Sequence, residues 1–282
     1  MRKTLDTRTT RRAAALCLPL LALFVAPYFA FAANFADARA VYDRGDFGTA
    51  REMFEPLANA GDAKAQSMMG TIYFLGRGIP PDRDRAKGWY AKAAAQGEPN
   101  AQYQMFALSM NPKDVKPGAP MKLDPAAVDY LRKAALQDHP GAQMWLSLVL
   151  SDGRLYPKDE AESFKWLRKA AEFDNVLAHL RLSKAYAEGA GTQVDNVESY
   201  YWLCIAKARA ARLQGPGAKM MQGMFNLGQD PLRAKLTAEQ IADAERRAAV
   251  WQPKPVPDFG TDPYIPMEKT QLSGPPAMPG AQ

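Results

Sequence analysis

Side chains with the chemistry for catalysis or metal binding are sparse in this chain. Its 282 residues include two histidines, His139 and His179, and two cysteines, Cys17 and Cys204. Metal sites gather three or four such ligands at short spacing. His139 stands alone in the run Asp-His-Pro-Gly, and His179 lies forty residues further on among apolar neighbours. Both read as structural or surface residues. Gly76-x-Gly78 and Gly189-x-Gly191 have the look of phosphate loops, yet neither follows a strand nor completes a dinucleotide-binding or Walker pattern. Neither a Gly-x-Ser-x-Gly elbow nor a His-Glu-x-x-His pair occurs. The acidic residues collect at helix starts, where the helix dipole favours them. These observations point to a non-catalytic protein without cofactor or metal. One polar column does recur: Gln66, Gln102, Gln143 and His179, at intervals of 36, 41 and 36. These four are the candidate partner-binding residues, their polar groups pairing with the backbone of a bound peptide. The alternative is that they bond neighbouring repeats to one another.

That column belongs to a wider repetition, and such periods are the signature of stacked supersecondary units. Ala65, Ala101, Ala142 and Ala178 precede the polar residues. An aromatic column follows at Trp89, Tyr130, Trp166 and Trp202, and Lys-Ala-Ala begins at Lys92, Lys133 and Lys169. The five extra residues of the longer interval fall between Asn111 and Asp124, a stretch with Pro112, Pro117, Gly118 and Pro120. An insertion kept to a loop leaves the helical period intact.

Each unit reads as two antiparallel helices. Ala65, Met69, Ile72 and Tyr73 recur at helical intervals, and Gly76, Gly153 and Gly189 supply turns. Second helices open at Asp124-Pro125, and at Asp159/Glu162 and Asp195/Glu198, whose spacing is that of a capping box. Gly97 ends the first second helix, with Asp138 and Asp174 in its place later. The small residues Ala86, Ala127, Ser163 and Ser199 precede the aromatic column by one turn, which predicts close helix approach with the rings filling the seams as core. The fold class is therefore all-α, an α/α solenoid of tandem helix hairpins with a C-terminal capping helix. Its units are expected at 36–61, 63–97, 101–138, 142–174 and 178–208, and the cap at 236–251, opened by Thr237-x-x-Gln240. The Met-rich stretch 213–232, with Met220, Met221, Met224 and Phe225, packs under the cap on this reading. Residues 252–282 carry eight prolines and are expected to be disordered.

The N-terminus reads as an export signal: a basic stretch ending at Arg12, an apolar run from Ala13 to Phe31, and Ala30-Phe31-Ala32 as a cleavage site. Cleavage after Ala32 places the mature chain, 33–251 plus its tail, in the periplasm or outside the cell. The alternative is that these 19 apolar residues remain as a membrane anchor. Of the formal charge of +6, the segment 1–32 contributes +4. The remainder is nearly neutral, which leaves no field to steer nucleic acid. With Cys17 removed, Cys204 has no partner for an intramolecular disulfide.

These columns resemble the Sel-one-like repeat family, relatives of the tetratricopeptide repeats. Gly70, Tyr73, Gly76, Gly78, Asp82, Ala86, Trp89, Tyr90, Lys92, Ala93, Ala94 and Gly97 match its pattern, and the likeness runs over about 36–251. The second unit departs most, with Phe106 and Ser109 at motif positions and no Gly-x-Gly, so its first helix is expected to be irregular. The resemblance implies an adaptor that holds protein or peptide partners on a concave face lined by first helices, with no catalytic residues to carry over. It also brings an enzyme alternative, since some secreted members have been proposed to handle β-lactams. The paired cysteines of that subgroup are missing here and no Ser-Lys arrangement stands out.

Overall fold

A computed structural model describes residues 34–110, 123–153, 155–212 and 231–259. The expected signal segment, the insertion near Pro117 and most of the Met-rich stretch lie outside them. Among the described residues the chain is helical throughout, with no strand. The helices are α1 (Phe35–Asp43), α2 (Phe47–Asn59), α3 (Ala63–Leu75), α4 (Arg83–Ala95), α5 (Pro99–Ser109), α6 (Pro125–Leu136), α7 (Pro140–Asp152), α8 (Glu160–Ala170), α9 (Val176–Glu188), α10 (Asn196–Ala210) and α11 (Ala238–Val250). Contacts run almost wholly between helices adjacent in the chain, from α1·α2 through α9·α10, and then α10·α11. This is the linear order of a solenoid.

The helix starts explain the regularity. Each first helix from α3 onward has an N-cap side chain that accepts a backbone N–H: Asp62 from Ala65 (2.7 Å), Glu98 from Ala101 (2.6 Å), His139 from Ala142 (3.1 Å) and Asn175 from Ala178 (3.1 Å). Four residue types thus do one job, satisfying amides that a helix start leaves unpaired. Second helices are capped by Asp82, Asp124, Asp159 and Asp195. The capping boxes expected at Asp159 and Asp195 are only half formed. Asp159 accepts from the Glu162 N–H, but the Glu162 carboxylate turns to Arg132 of α6 and to the Trp166 indole. Glu198 likewise pairs with Arg247 of α11. A partner of opposite charge on another helix outcompetes the local amide, because a charge-assisted pair is the stronger bond. The complete box is at Thr237/Gln240, where α11 begins.

The core departs from the expected aromatic column by one residue. Trp166 is buried, but Trp89, Tyr130 and Trp202 are only half-buried. The fully enclosed column is the next position: Tyr90, Leu131, Leu167 and Leu203. Opposite it the helices approach through small residues. A Cβ on Gly70 would come within 2.6 Å of the Tyr90 ring. Ser147 meets Ser163 at 3.3 Å and Ser183 meets Ser199 at 3.2 Å, hydroxyl to hydroxyl. In the second unit Phe106, wholly buried, fills the place of Gly70, and α5 is nonetheless a regular helix of 11 residues. The expected irregularity is absent because Glu98 and Pro99 fix its start independently of the missing glycines. At the C-terminal side of the repeats Asp138 adopts φ 60, the position that Gly97 takes at φ 90.

Candidate functional site

The recurring polar column sits where one repeat meets the next. The Gln66 amide donates from Nε2 to the Ala58 carbonyl (3.0 Å), Gln102 to Ala94 (3.5 Å) and Gln143 to Ala135 (3.1 Å), while His179 Nε2 bonds Ala171 at 3.0 Å. In each case the carbonyl lies eight residues back, at the end of the preceding second helix. Such helix-end carbonyls have room for a second donor, and Ala58, Ala94 and Ala135 also accept from the N–H of Gly61, Gly97 and Asp138. The ladder therefore seals every joint. Gln96 and Gln137 extend it, donating to the Gln66 and Gln102 side-chain oxygens at 2.8 and 3.0 Å. All four column residues are buried, at 6, 3, 0 and 0 % exposure. Each Nε2 is engaged within the repeats, while Gln143 Oε1 and His179 Nδ1 have no partner.

Beside the ladder runs the aromatic column, half-buried at Trp89 and Tyr130 and buried at Trp166. Lys92 lies over Trp89 (4.3 Å), Lys133 over Tyr130 (5.9 Å) and Lys169 over Trp166 (5.0 Å), a lysine covering each ring from one turn on. A shallow depression between α4 and α6 is lined by Gly97, Gln102, Asp129, Tyr130 and Lys133. In the last repeat His179 stacks on Trp202 at 5.6 Å.

Of the tail 252–282, expected to be disordered, residues 260–282 lie outside the described residues, while 252–259 hold a defined course over these joints. Trp251 ends α11 and packs edge-on to His179 at 5.0 Å, and the Arg209 guanidinium lies over its ring at 5.0 Å. Lys254 donates its backbone N–H to Glu172 O (2.7 Å) and its ammonium to Asp138 Oδ2 (2.9 Å), and lies over the Phe173 ring. Lys64 reaches the Asp258 carbonyl at 3.5 Å. Phe259 is 5 % exposed and stacks on His139 (5.1 Å), which itself stacks on Tyr103 (4.6 Å). The segment thus runs back from the last joint toward the first. Pro253, Pro255 and Pro257 remove amide donors and lock an extended backbone, which lowers the entropy lost when the segment docks.

Electrostatics follow from this packing. Burial pushes His139 down to about 3, so it stays neutral, accepting at Nδ1 from Ala142 with its Nε2 lacking a partner. Burial also lowers His179. The Lys254 ammonium holds the Asp138 carboxyl below its ordinary value. Burial raises the Cys204 thiol, leaving it a poor nucleophile. Among the described residues no three His, Cys, Asp or Glu side chains gather in a metal-holding group, and no helix is long and apolar enough to cross a membrane.

A family model described as Sel1 repeat matches residues 63–98, 99–139, 140–172 and 176–209. A Sel1 repeat protein from Oxalobacter formigenes has a similar solved structure, with TM-score 0.56 and 21 % identity over 78 % of this chain and 86 % of that one. A protective antigen of uropathogenic Escherichia coli displaying an SLR fold aligns with TM-score 0.49 and 23 % identity, over 87 % of this chain and 58 % of the antigen. The immunity protein Pa5087 from Pseudomonas aeruginosa aligns with TM-score 0.43 and 18 % identity, covering 77 % of this chain and 88 % of that one. The chain therefore spans little more than half the length of the antigen.

Proposed function

Because the chain belongs to the Sel1 repeat family, we propose that it is a non-catalytic, exported scaffold that binds a protein or peptide along the face where its repeats join. The observation that carries this reading is the seating of an extended stretch of polypeptide, residues 252–259, on that face. A surface that holds one extended segment through a backbone hydrogen bond, an ion pair and a buried ring has the chemistry to hold others. A stack whose helices touch almost only their chain neighbours offers such a surface over its whole length. The buried ladder of Gln66, Gln102, Gln143 and His179 supports the face from beneath. Of the first helices, α3 buries all of Ala65–Tyr73. Export rests on the basic, apolar and Ala-x-Ala order of residues 1–32.

Photocrosslinking in intact cells tests the scaffold. A photoreactive side chain at Tyr130, on the joint face, is expected to capture a defined protein. The same group at Arg85, at the far end of α4, is expected to capture none. Equal labelling from both positions, or none from either, overturns the reading. Hydrolysis of a chromogenic β-lactam by the purified chain would replace it with an enzyme. A mature N-terminus at Ala33 is the expected mass-spectrometric result, and an intact Met1 start would favour the anchor.

A further inference from the structure

Residues 252–259 are short of the usual forces that order a tail: they belong to no helix and bury one large side chain, Phe259. Their contacts nevertheless fall at successive repeat joints. Lys254 meets Glu172 and Phe173, which follow the ladder carbonyl of Ala171, and also Asp138, which precedes His139 at the joint before. Phe259 meets His139 itself. The receiving side is prepared for a ligand at both points. Asp138 is turned by its left-handed backbone (φ 60) so that Oδ1 accepts from Gln143 and Oδ2 faces Lys254. His139 offers one ring face to Tyr103 and takes Phe259 at 5.1 Å with rings 26° from parallel. Alternating prolines give the segment an extended form before it docks, the property on which recognition of proline-rich ligands depends.

We propose that this surface is a peptide groove specific for an extended, proline-alternating segment with a lysine and, five residues later, an aromatic ring, and that residues 252–259 occupy it in cis where a partner's segment of that chemistry would lie. The inference rests on the scaffold reading and specifies its ligand. Asp138 selects the basic residue, His139 with Tyr103 selects the ring, and the Glu172 carbonyl takes the Lys254 amide, one of the two that the prolines leave between them. Trp251 belongs to the cap and stays in place when the segment leaves. Direct attachment to α11 gives the in-cis segment an effective concentration on the order of millimolar. A partner must then bind more tightly than the tail, or meet a chain whose tail has been drawn off.

The probe is a fluorescein-labelled peptide of sequence Gln-Pro-Lys-Pro-Val-Pro-Asp-Phe, read by anisotropy against the full chain. The wild-type chain is expected to bind it weakly. The Lys254→Glu, Phe259→Ala double variant, whose own tail has lost both anchors, is expected to bind at least tenfold more tightly, because apparent affinity scales with the fraction of open groove. A peptide with the same two changes should bind neither chain. Adding Asp138→Lys to the double variant should reverse the preference between Lys and Glu peptides, a readout that general destabilisation cannot mimic. Equal affinity of wild type and double variant, with helical melting unchanged, overturns the proposal. A wild-type dimer by sedimentation that the double variant loses overturns it too, by putting the tail on a second copy. Peptide binding together with silent cellular crosslinking would sink the scaffold reading alone, and the reverse pattern would sink the groove alone.

Discussion

Gln143 donates its side-chain amide to the carbonyl of Ala135, eight residues earlier, across a joint where both residues are wholly buried. Three further pairs repeat this relation with the same eight-residue offset. Replacing the donor removes two hydrogen bonds, one to Ala135 O, which keeps the Asp138 N–H, and one to Asp138 Oδ1, together worth about 1–3 kcal/mol. Gln143→Ala is expected to lower unfolding free energy in urea by that amount. His179→Gln, which restores the commoner ladder residue, should cost less than about 1 kcal/mol. Equal losses for the two would contradict a shared ladder.

The approach of α3 to α4 predicts an effect of a single methyl group. Gly70→Ala places a carbon within 2.6 Å of the Tyr90 ring, whose hydroxyl is paired with Thr71 at 3.1 Å. Alanine is the better helix former, so local propensity alone would raise stability. Overpacking opposes this with a cost of typically about 1–3 kcal/mol. A net fall in thermal midpoint is expected, and a rise would mean that the ring moves freely.

His139 should make stability depend on pH. Its folded pKa, about 3, lies below the unfolded value, so the unfolded chain binds the extra proton. The stability is complete above about pH 6.5 and is lost as pH falls toward 3, with a limiting slope of about 1.4 kcal/mol per pH unit. Asp138, held low by Lys254, adds a loss in the same direction at the acid end. His139→Asn keeps an N-cap acceptor but cannot titrate. Urea unfolding at pH 6.5, 5.5 and 4.5 is expected to show a flatter profile for this variant, whatever its absolute stability.

The cap is held by a small polar cluster. Tyr200 donates its hydroxyl to Glu245 of α11 at 2.8 Å, and Arg233 donates to the Tyr200 oxygen at 2.9 Å. Tyr200→Phe should cost about 0.5–1.5 kcal/mol, the usual net worth of such a bond. Because solenoid stability is nearly a sum over neighbours, hydrogen exchange should speed up in α10 and α11 and stay unchanged in α3. A uniform change through the stack would argue against nearest-neighbour coupling.

Local signals determined much of this protein. The 36-residue period, the turn glycines at 76, 153 and 189 and the aspartates that open second helices are properties of short stretches, and each helix forms where they place it. His139 shows where that legibility ends. Nothing in Asp-His-Pro-Gly distinguishes an N-cap from a loop residue, since the role depends on which amide the ring reaches. The aromatic column was misplaced by one position for a related reason: Trp89 and Tyr90 are equally apolar, and only the packing of α3 on α4 decides which is enclosed. The ladder's partners needed the tertiary structure as well, because a glutamine in a repeat fits an exposed recognition site and a buried seal alike. The course of residues 252–259 was the least legible of all. Composition reports how little core a segment can build for itself, whereas docking depends on a surface assembled by repeats lying up to 194 residues away along the chain.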